Sequence, residues 1–390
     1  MFDSDDNNKR NLHRISRPSF IAITTTTALC ILSLVSAALN PAEFPLASAV
    51  PAVDSPQVKK WLSEIDLSGA PTISLNSGDP PDCPKIVEAG VCYWTCEDCS
   101  ADDVIECPDK NNWGITFDDG PTPATPPLLQ FLDEKKIKAT FFLVGSNVVK
   151  YPEMVVQEVR AGHHLASHTW SHRALTTLSN EQIVAEIKWT EKAIEDATGY
   201  RVRYMRPPYG DVDNRVRFVL KKLGYTIVNW SGDTFDSNDW KIPEISKTNV
   251  ISHFKSSLDA YTAAGANNTK GFISLEHDLS ADTVEVARSL IGHGMQSNLN
   301  IMTVSECLHD NVPYMAVNGT VLGGPVNPAN GTSSQNGNTP SQDNNGRELV
   351  DTSRLDLPNS AVSSKILQKG SLATLLWISF SAGMAIAASV

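Results

Sequence analysis

Five short clusters of acidic, basic and imidazole side chains each come directly after an apolar run or close behind one. The clusters are Asp118-Asp119-Gly120-Pro121, His168-Thr169-Trp170-Ser171-His172, Arg206-Pro207-Pro208-Tyr209-Gly210-Asp211, Asp236-Ser237-Asn238-Asp239-Trp240 and Glu276-His277-Asp278. Adjacent carboxylates at the end of a buried strand are costly unless a metal ion or a cationic side chain compensates them. Carboxylates and imidazoles together can also bind a divalent ion and transfer protons.

Each cluster alone has a simpler interpretation. Asp118 and Asp119 before a proline are typical of an acidic turn, and histidines four residues apart occur by chance. If residues 168–172 are helical or tightly turned, however, His168 and His172 share one face and can bind one ion.

The stretch between residues 109 and 310 predicts alternating strands and helices, and it is long enough for one domain. Seven strand-like runs are separated by helix-like segments; they cover residues 113–117, 139–144, 163–167, 202–205, 225–229, 271–275 and 299–304. The strongest helix prediction begins after Ser179 as cap, with Gln182 as its capping-box partner, and stops at Gly199. Repeated β-then-α units indicate parallel strands in an open doubly wound sheet or a closed barrel. Seven strands without a glycine-rich nucleotide loop favour the barrel.

In such a barrel all five clusters lie beyond the C-terminal ends of strands. That end is one face of the molecule, where active sites are assembled from several loops. The convergence is more informative than any single cluster.

In order and approximate spacing, these clusters resemble the five motifs of the polysaccharide deacetylases with a NodB homology domain, carbohydrate esterase family 4. The resemblance covers about 200 residues and leaves both flanks outside. It implies a distorted (β/α) barrel of about seven parallel strands. Among family members the chain is most similar to fungal chitin deacetylases.

The resemblance implies that Asp119, His168 and His172 bind one divalent metal, zinc or cobalt. The ion would polarise the amide and lower the pKa of bound water. Asp118 would be the general base, and Arg206 would hold it ionised and oriented.

The resemblance also assigns the second half of the reaction. His277 would protonate the leaving nitrogen, with Asp239 keeping its imidazole cationic, and the backbone N–H of Tyr209 would stabilise the oxyanion. Trp240 and Leu275 would wall the acetyl pocket, and Tyr209 would also belong to the substrate pocket. Trp240 is almost as readily interpreted as a core aromatic. Ordinary packing or surface positions are expected for the other histidines in this region: His163, His164, His253, His293 and His309.

The two ends of the chain indicate export and anchoring. A basic stretch precedes the apolar run from residue 20 to 39, which predicts a signal peptide over residues 1–38 rather than an uncleaved membrane anchor. The small residues Asn359 and Ser360, a short spacer and the apolar run 372–390 predict a GPI signal, with attachment at Asn359 or Ser360 and a propeptide over residues 361–390. A C-terminal membrane-spanning helix is the alternative.

Six cysteines remain after the predicted signal: Cys83, Cys92, Cys96, Cys99, Cys107 and Cys307. Export favours up to three disulfides, whose pairing the sequence leaves open, over a zinc cluster or a redox Cys-x-x-Cys. Five of the six fall in residues 39–108, which we interpret as a Cys-rich N-terminal extension.

The remaining features also fit a cell-surface enzyme. Asn267, Asn318 and Asn330 are predicted glycosylation sites, whereas Asn229 lies in an apolar run and should stay unmodified. Residues 311–360 are rich in Asn, Gly, Ser and Thr and predict a flexible stalk. The net charge of −12 argues against nucleic acid as a partner.

The resemblance implies removal of N-acetyl groups from chitin, and the export and anchoring features place this activity in the cell wall. The same machinery could act on another acetylated polysaccharide such as xylan. A surface mannoprotein that binds polysaccharide without turnover is the alternative of a different class.

Overall fold

The computed structural model describes residues 39–83, 90–317, 321–322 and 349–350. The predicted signal peptide, the GPI signal with Asn359 and Ser360, and the sequons at Asn318 and Asn330 lie outside these residues. Within the described part, no helix is both long and apolar enough to cross a membrane.

Short strands, most of them paired in parallel, form the centre of the molecule. They are β1 (Asn112–Gly114), β2 (Thr116–Asp118), β3 (Thr140–Leu143), β4 (His164–Ser167), β5 (Arg201–Val202), β6 (Tyr204–Met205), β7 (Thr226–Ile227), β8 (Phe272–Ile273), β9 (Glu276–His277) and β10 (Asn300–Met302). Short strands β11 (Tyr314–Met315), β12 (Val321–Leu322) and β13 (Leu349–Val350) follow. β11 pairs with β5 antiparallel, and β12 pairs with β13 in parallel.

Helices connect these strands. They are α1 (Pro56–Ser63), α2 (Trp94–Glu97), α3 (Thr125–Lys135), α4 (Gly145–Lys150), α5 (Pro152–Arg160), α6 (Asn180–Thr198), α7 (Asn214–Lys222), α8 (Lys247–Ala264), α9 (Ala281–Gln296) and α10 (Val304–Cys307). α6 begins at the predicted Ser179 cap, with the reciprocal Gln182 bond of a capping box, and ends at a left-handed Gly199. This helix prediction is confirmed.

One sheet has the strand order β7-β6-β4-β3-β2-β9, and β1 pairs with β10 and β8 in a second sheet. β1 and β2 are one strand that changes neighbours at Ile115, and β8 and β9 are related in the same way. The ring is closed where the Ser231 N–H donates to the Ile273 carbonyl (2.9 Å) and Asp236 bridges to Leu275. The predicted α/β fold with parallel strands arranged as a distorted barrel is confirmed.

Apolar side chains that are fully buried fill the barrel and its helical jacket, among them Ile115, Phe117, Phe141 and Leu165. Both faces of these strands are covered, which explains why the strands appear in sequence as continuous apolar runs rather than alternating ones.

The six cysteines pair as Cys83–Cys96, Cys92–Cys99 and Cys107–Cys307. The disulfide interpretation is therefore confirmed over the zinc cluster, and the pairing left open by the sequence is decided. The extension is not a separate layer, because Val104 adds a parallel bridge to Val228 beside β7.

Folded structure continues past residue 310, where the sequence placed the start of a stalk. Tyr314 is buried, and its hydroxyl accepts a hydrogen bond from the Leu165 N–H (3.1 Å). Residues 311–315 therefore belong to the barrel domain. The composition after residue 310 did not predict the two-residue edge strand β11.

Candidate active site

The predicted clusters meet at one face of the barrel. Asp118 ends β2, His168 follows β4, Arg206 follows β6 and His277 ends β9. Parallel strands present their carboxyl ends on the same side, so four separate loops deliver polar side chains to one place.

Left-handed backbone recurs at this face. The φ angle is positive at Asp119 (73°), Thr169 (66°), His172 (58°), Tyr209 (60°) and Asn238 (57°). Such a conformation is unfavourable for residues other than glycine and persists only where the surroundings enforce it, most often at functional sites. Residues 168–172 consequently form a tight turn rather than a helix.

Asp119, His168 and His172 converge as a candidate metal centre. Asp119 Oδ1 lies 3.1 Å from His172 Nε2 and 3.4 Å from His168 Nε2, and the three ligand atoms lie within 4.8 Å of one another. His168 Nδ1 donates to the Arg206 carbonyl (2.8 Å), which fixes the tautomer and leaves the Nε2 lone pair facing Asp119. Two imidazoles and a carboxylate are the donor set of a catalytic zinc-type site, so these residues fit a divalent ion.

The electrostatics of this centre favour positive charge. Burial alone would raise the pKa of Asp119, but hydrogen bonds and charges from His168, His172 and His277 hold it well below its usual value. Burial would lower the pKa of His172, and its interaction with Asp119 raises it instead. A proton and a metal ion therefore compete for His172.

Glu186 supports the turn between the two histidines, and sequence reasoning missed it. From α6 its carboxylate accepts hydrogen bonds from the N–H groups of Trp170 and Ser171 (2.8 Å each) and from the Ser171 hydroxyl (2.5 Å). Burial raises the pKa of Glu186 to about 7. The sequence signal that could have identified Glu186 is an acidic residue on the same apolar face of the helix as Ile183 and Ile187, because a buried carboxylate there needs hydrogen-bond donors.

Arg206 and Asp118 form a buried ion pair beside the candidate metal centre. Arg206 Nη1 donates to Asp118 Oδ1 (2.8 Å) and to the Thr116 hydroxyl (2.6 Å), and neither charged residue is more than 2 % exposed. The second Asp118 oxygen lies 3.8 Å from His168 Nε2. The guanidinium also packs over the Phe142 ring at 4.3 Å. Arg206 therefore fixes Asp118 through one carboxylate oxygen and leaves the other directed toward His168.

His277 and Asp239 form a second charge pair. His277 Nδ1 lies 2.6 Å from Asp239 Oδ1, and the backbone N–H of His277 donates to Asp239 Oδ2 (2.9 Å). Burial alone would lower the pKa of His277, but Asp239, with help from Asp119 and Asp118, raises it to about 10. Nε2 of His277 lies 4.0 Å from Asp119 Oδ2 and therefore faces the same centre.

The predicted pocket residues differ in exposure. Leu275 is buried, whereas Trp240 is 51 % and Tyr209 is 36 % exposed. Trp240 is therefore not a core aromatic. The Tyr209 ring packs edge-on against His172, with centroids 4.8 Å apart, which places it at the mouth of the site.

The other sequence predictions lie away from this face. His163 and His164 are buried, and His293 and His309 pair with Asp259 and Asp109 at the surface. Two sequons fall within the described residues: Asn267 is exposed and Asn229 is fully buried, the latter as expected of an unmodified position.

The family follows from comparison with known proteins. Residues 105–228 match the sequence model of the polysaccharide deacetylase family. Over 272 residues the chain is 39 % identical to chitin deacetylase 1 of Saccharomyces cerevisiae, covering 69 % of this chain and 82 % of the yeast protein. This chain belongs to the polysaccharide deacetylase family.

Other relatives are similar over part of their length. Chitin deacetylase 1 of Cryptococcus neoformans var. grubii is 41 % identical over 302 residues, which are 74 % of this chain and 64 % of that protein. The chain covers 56 % of the Amylomyces rouxii chitin deacetylase. It thus spans less than two thirds of these two relatives. Among solved structures, the chitin deacetylase of Colletotrichum lindemuthianum matches 55 % of this chain and 96 % of that chain, with 28 % identity and a TM-score of 0.49.

Proposed function

We propose that this protein is a metal-dependent hydrolase that removes N-acetyl groups from chitin, releasing acetate and leaving glucosamine units. The observation that carries the proposal is the convergence of Asp119, His168 and His172 beside two separate proton-transfer groups, Asp118 and His277. The names of the relatives supply the substrate class.

A divalent ion held by Asp119, His168 and His172 would polarise the acetamide carbonyl and lower the pKa of the attacking water. Zinc and cobalt both suit this donor set.

Asp118 is proposed as the base that removes a proton from the water as its oxygen attacks the carbonyl carbon. Arg206 donates to Oδ1, so the other oxygen is left to accept the proton. Loss of this group should cost about two to four powers of ten in rate.

His277 is proposed as the acid. Collapse of the tetrahedral intermediate breaks the C–N bond, and the amine leaves only if its nitrogen is protonated. Asp239 raises the pKa of His277, which supplies the proton at Nε2. The Tyr209 N–H would donate to the developing oxyanion, and Trp240 and Leu275 would line the space for the methyl group.

The location is proposed from the ends of the chain and the three disulfides: secretion, followed by a GPI anchor that holds the enzyme at the outer face of the membrane and in the wall. Disulfides are typical of exported proteins. Release of the mature protein from cells by a phosphatidylinositol-specific phospholipase is the expected result, whereas retention would favour a membrane-spanning tail.

The central experiment uses the segment from residue 39 to 360. We expect one bound divalent ion per chain, acetate release from chitin oligomers, loss of release on chelation and recovery with zinc or cobalt. Faster release from acetylated xylan would indicate the alternative substrate. Chitin binding without any acetate release would indicate the non-catalytic surface protein.

Asp118→Asn separates chemistry from metal binding. We expect acetate release to fall at least ~100-fold while bound metal stays near the wild-type level, because Asp118 is not one of the three ligands. Turnover at the wild-type rate would refute the assignment of Asp118 as the base.

A further inference from the structure

We propose that the Cys-rich extension is a clamp with two arms that positions the catalytic loops, and that the Cys83–Cys96 disulfide joins the arms. The first arm is residues 76–83, and the second is residues 92–99. The catalytic part of this inference rests on the proposed deacetylase function.

The first arm lies against the loop that follows the metal-ligand turn. Asp79 pairs with Arg173 (2.5 Å) and accepts a hydrogen bond from the Ala174 N–H (3.1 Å). Asn76 donates through its backbone N–H to the Thr176 carbonyl (3.1 Å) and through its side chain to the Thr176 hydroxyl (2.9 Å). These contacts begin one residue after His172.

The second arm lies against the loop that carries the proposed oxyanion donor. Trp94 is buried, and its indole occupies the space that a side chain at Gly210 would need. The Trp94 N–H donates to the Val212 carbonyl (3.2 Å), and the Thr95 hydroxyl donates to the Tyr209 carbonyl (3.3 Å). The arm therefore contacts the loop on both sides of Gly210.

Covalent and ionic bonds fix the second arm itself. The Cys92–Cys99 disulfide closes it, and Arg217 of α7 donates to the carbonyls of Cys92 (2.5 Å) and Cys99 (2.7 Å). Arg217 also pairs with the buried carboxylate of Asp103 (2.8 Å). Helix α7 thus fixes the second arm to the barrel, and the Cys83–Cys96 disulfide ties the first arm to the second.

A clamp is needed here because both loops hold unfavourable backbone. His172 and Tyr209 have left-handed φ angles of 58° and 60°, a conformation that is unfavourable for residues other than glycine and persists only where the surroundings enforce it. Asp211 links the two loops by accepting from the N–H (2.7 Å) and the hydroxyl (3.0 Å) of Thr176. The two arms contact these same two loops from the side of the extension. Thr95 is therefore a positioning residue for the Tyr209 amide.

The first test compares the full chain with Cys83→Ser/Cys96→Ser, which keeps the other two disulfides. The Tyr209 amide would act only in the transition state, so we expect kcat to fall ~10-fold while KM stays within about twofold of the wild-type value. This fall is smaller than the loss seen when an oxyanion donor is removed altogether. Hydrogen exchange of residues 173–176 and 209–212 should become faster, and bound metal should stay at one ion per chain.

The second test uses Thr95→Val, which removes one hydroxyl at nearly constant volume. We expect kcat to fall about threefold at unchanged KM and metal affinity, in line with loss of one hydrogen bond. Thr262→Val is the matched control, because that hydroxyl donates to the Leu258 carbonyl within its own helix, and its kcat should equal the wild-type value.

The outcomes separate the clamp from the proposed function. An active wild type whose kcat is unchanged in both variants overturns the clamp. A wild type without acetate release refutes the proposed function, and hydrogen exchange then decides alone: faster exchange at residues 209–212 in Cys83→Ser/Cys96→Ser supports the clamp, and unchanged exchange overturns it.

Discussion

Asp118 and Asp119 are neighbours in sequence with different surroundings. Asp118 ends a strand and pairs with Arg206, whereas Asp119 has left-handed backbone and turns its carboxylate to His168 and His172. The change from strand to left-handed backbone between these two residues therefore directs the proposed base and the proposed metal ligand to different partners. This is how adjacent carboxylates avoid facing each other inside a protein.

The proposed role of His277 as proton donor can be tested through its partner Asp239. In Asp239→Asn the charge that raises the pKa of His277 is lost, so His277 loses its proton at lower pH. The acid form is required, so we expect the alkaline limb of the kcat–pH profile to move to lower pH and kcat at neutral pH to fall about 100-fold. Acetate release from pH 6 to 10 measures this, and an alkaline limb at the wild-type position would contradict the pairing.

At the scale of elements, strands position the site and loops complete it. β2 and β9 pair in a parallel register that aligns Asp118 with His277, and β4 and β6 pair in one that aligns Ser167 with Met205. β3 lies between these two pairs and bonds to both. The backbone positions of Asp118 and His277 are therefore fixed by the sheet itself. His172 and Tyr209 lie in loops, which need Glu186, Asp211 and the extension to fix them.

Helix α6 supports the turn at residues 168–172, which carries the proposed metal ligands, through Glu186. A pair of variants can test this support. Glu186→Ala leaves the N–H groups of Trp170 and Ser171 without their acceptor, and we expect zinc affinity to fall ~10- to 100-fold, as for other groups that orient metal ligands. Glu186→Gln keeps an acceptor oxygen and should stay within a few-fold of the wild type. Metal titration measures both, and equal affinity in Glu186→Ala and the wild type would refute the role.

At the scale of the whole molecule, buried histidines should make stability depend on pH. Burial lowers the pKa of His163 and of His164 to about 3, below the unfolded value of 6.5. Between these values the unfolded chain takes up protons that the folded chain does not. Each histidine therefore lowers the free energy of unfolding by about 1 kcal/mol for every pH unit below about 6.

His163→Asn tests this contribution. The Asn oxygen can replace His163 Nδ1 as acceptor for the Ala139 N–H, but it does not titrate. From pH 6 to 5 we expect the variant to lose about 1 kcal/mol less than the wild type in denaturant unfolding. Parallel losses in the two proteins would show that His163 is already protonated in the folded state.

The extent of the folded domain is also testable. Tyr314 packs on Tyr200 with centroids 4.6 Å apart and is only 1 % exposed. Tyr314→Ala should lower the free energy of unfolding by about 3–5 kcal/mol, the usual cost of truncating a buried aromatic. A loss below about 1 kcal/mol in thermal or denaturant unfolding would place residue 314 outside the core.

The sequence by itself determined the features that depend on local pattern. Apolar runs of strand length, the capping residues of α6 and the polar clusters at strand ends are all written in consecutive residues. They were sufficient to favour a barrel and to predict that the five polar clusters meet at one face. The resemblance to the polysaccharide deacetylases settled the barrel and singled out Asp118, Asp119, His168, His172, Arg206, Asp239 and His277. The positions of the clusters along the chain were enough to predict that they meet, because the carboxyl ends of parallel strands all lie on one side of the barrel.

Only the tertiary structure decided the features that depend on contacts between distant residues. They are the disulfide pairing, the support that Glu186 provides to the turn at 168–172, the edge strand at 314–315 and the contacts of Trp94 and Thr95 with the loop at 209–212. Each joins segments whose separation along the chain carries no record of their distance in space. Local propensity cannot encode such contacts, because their free energy exists only once both partners are in place.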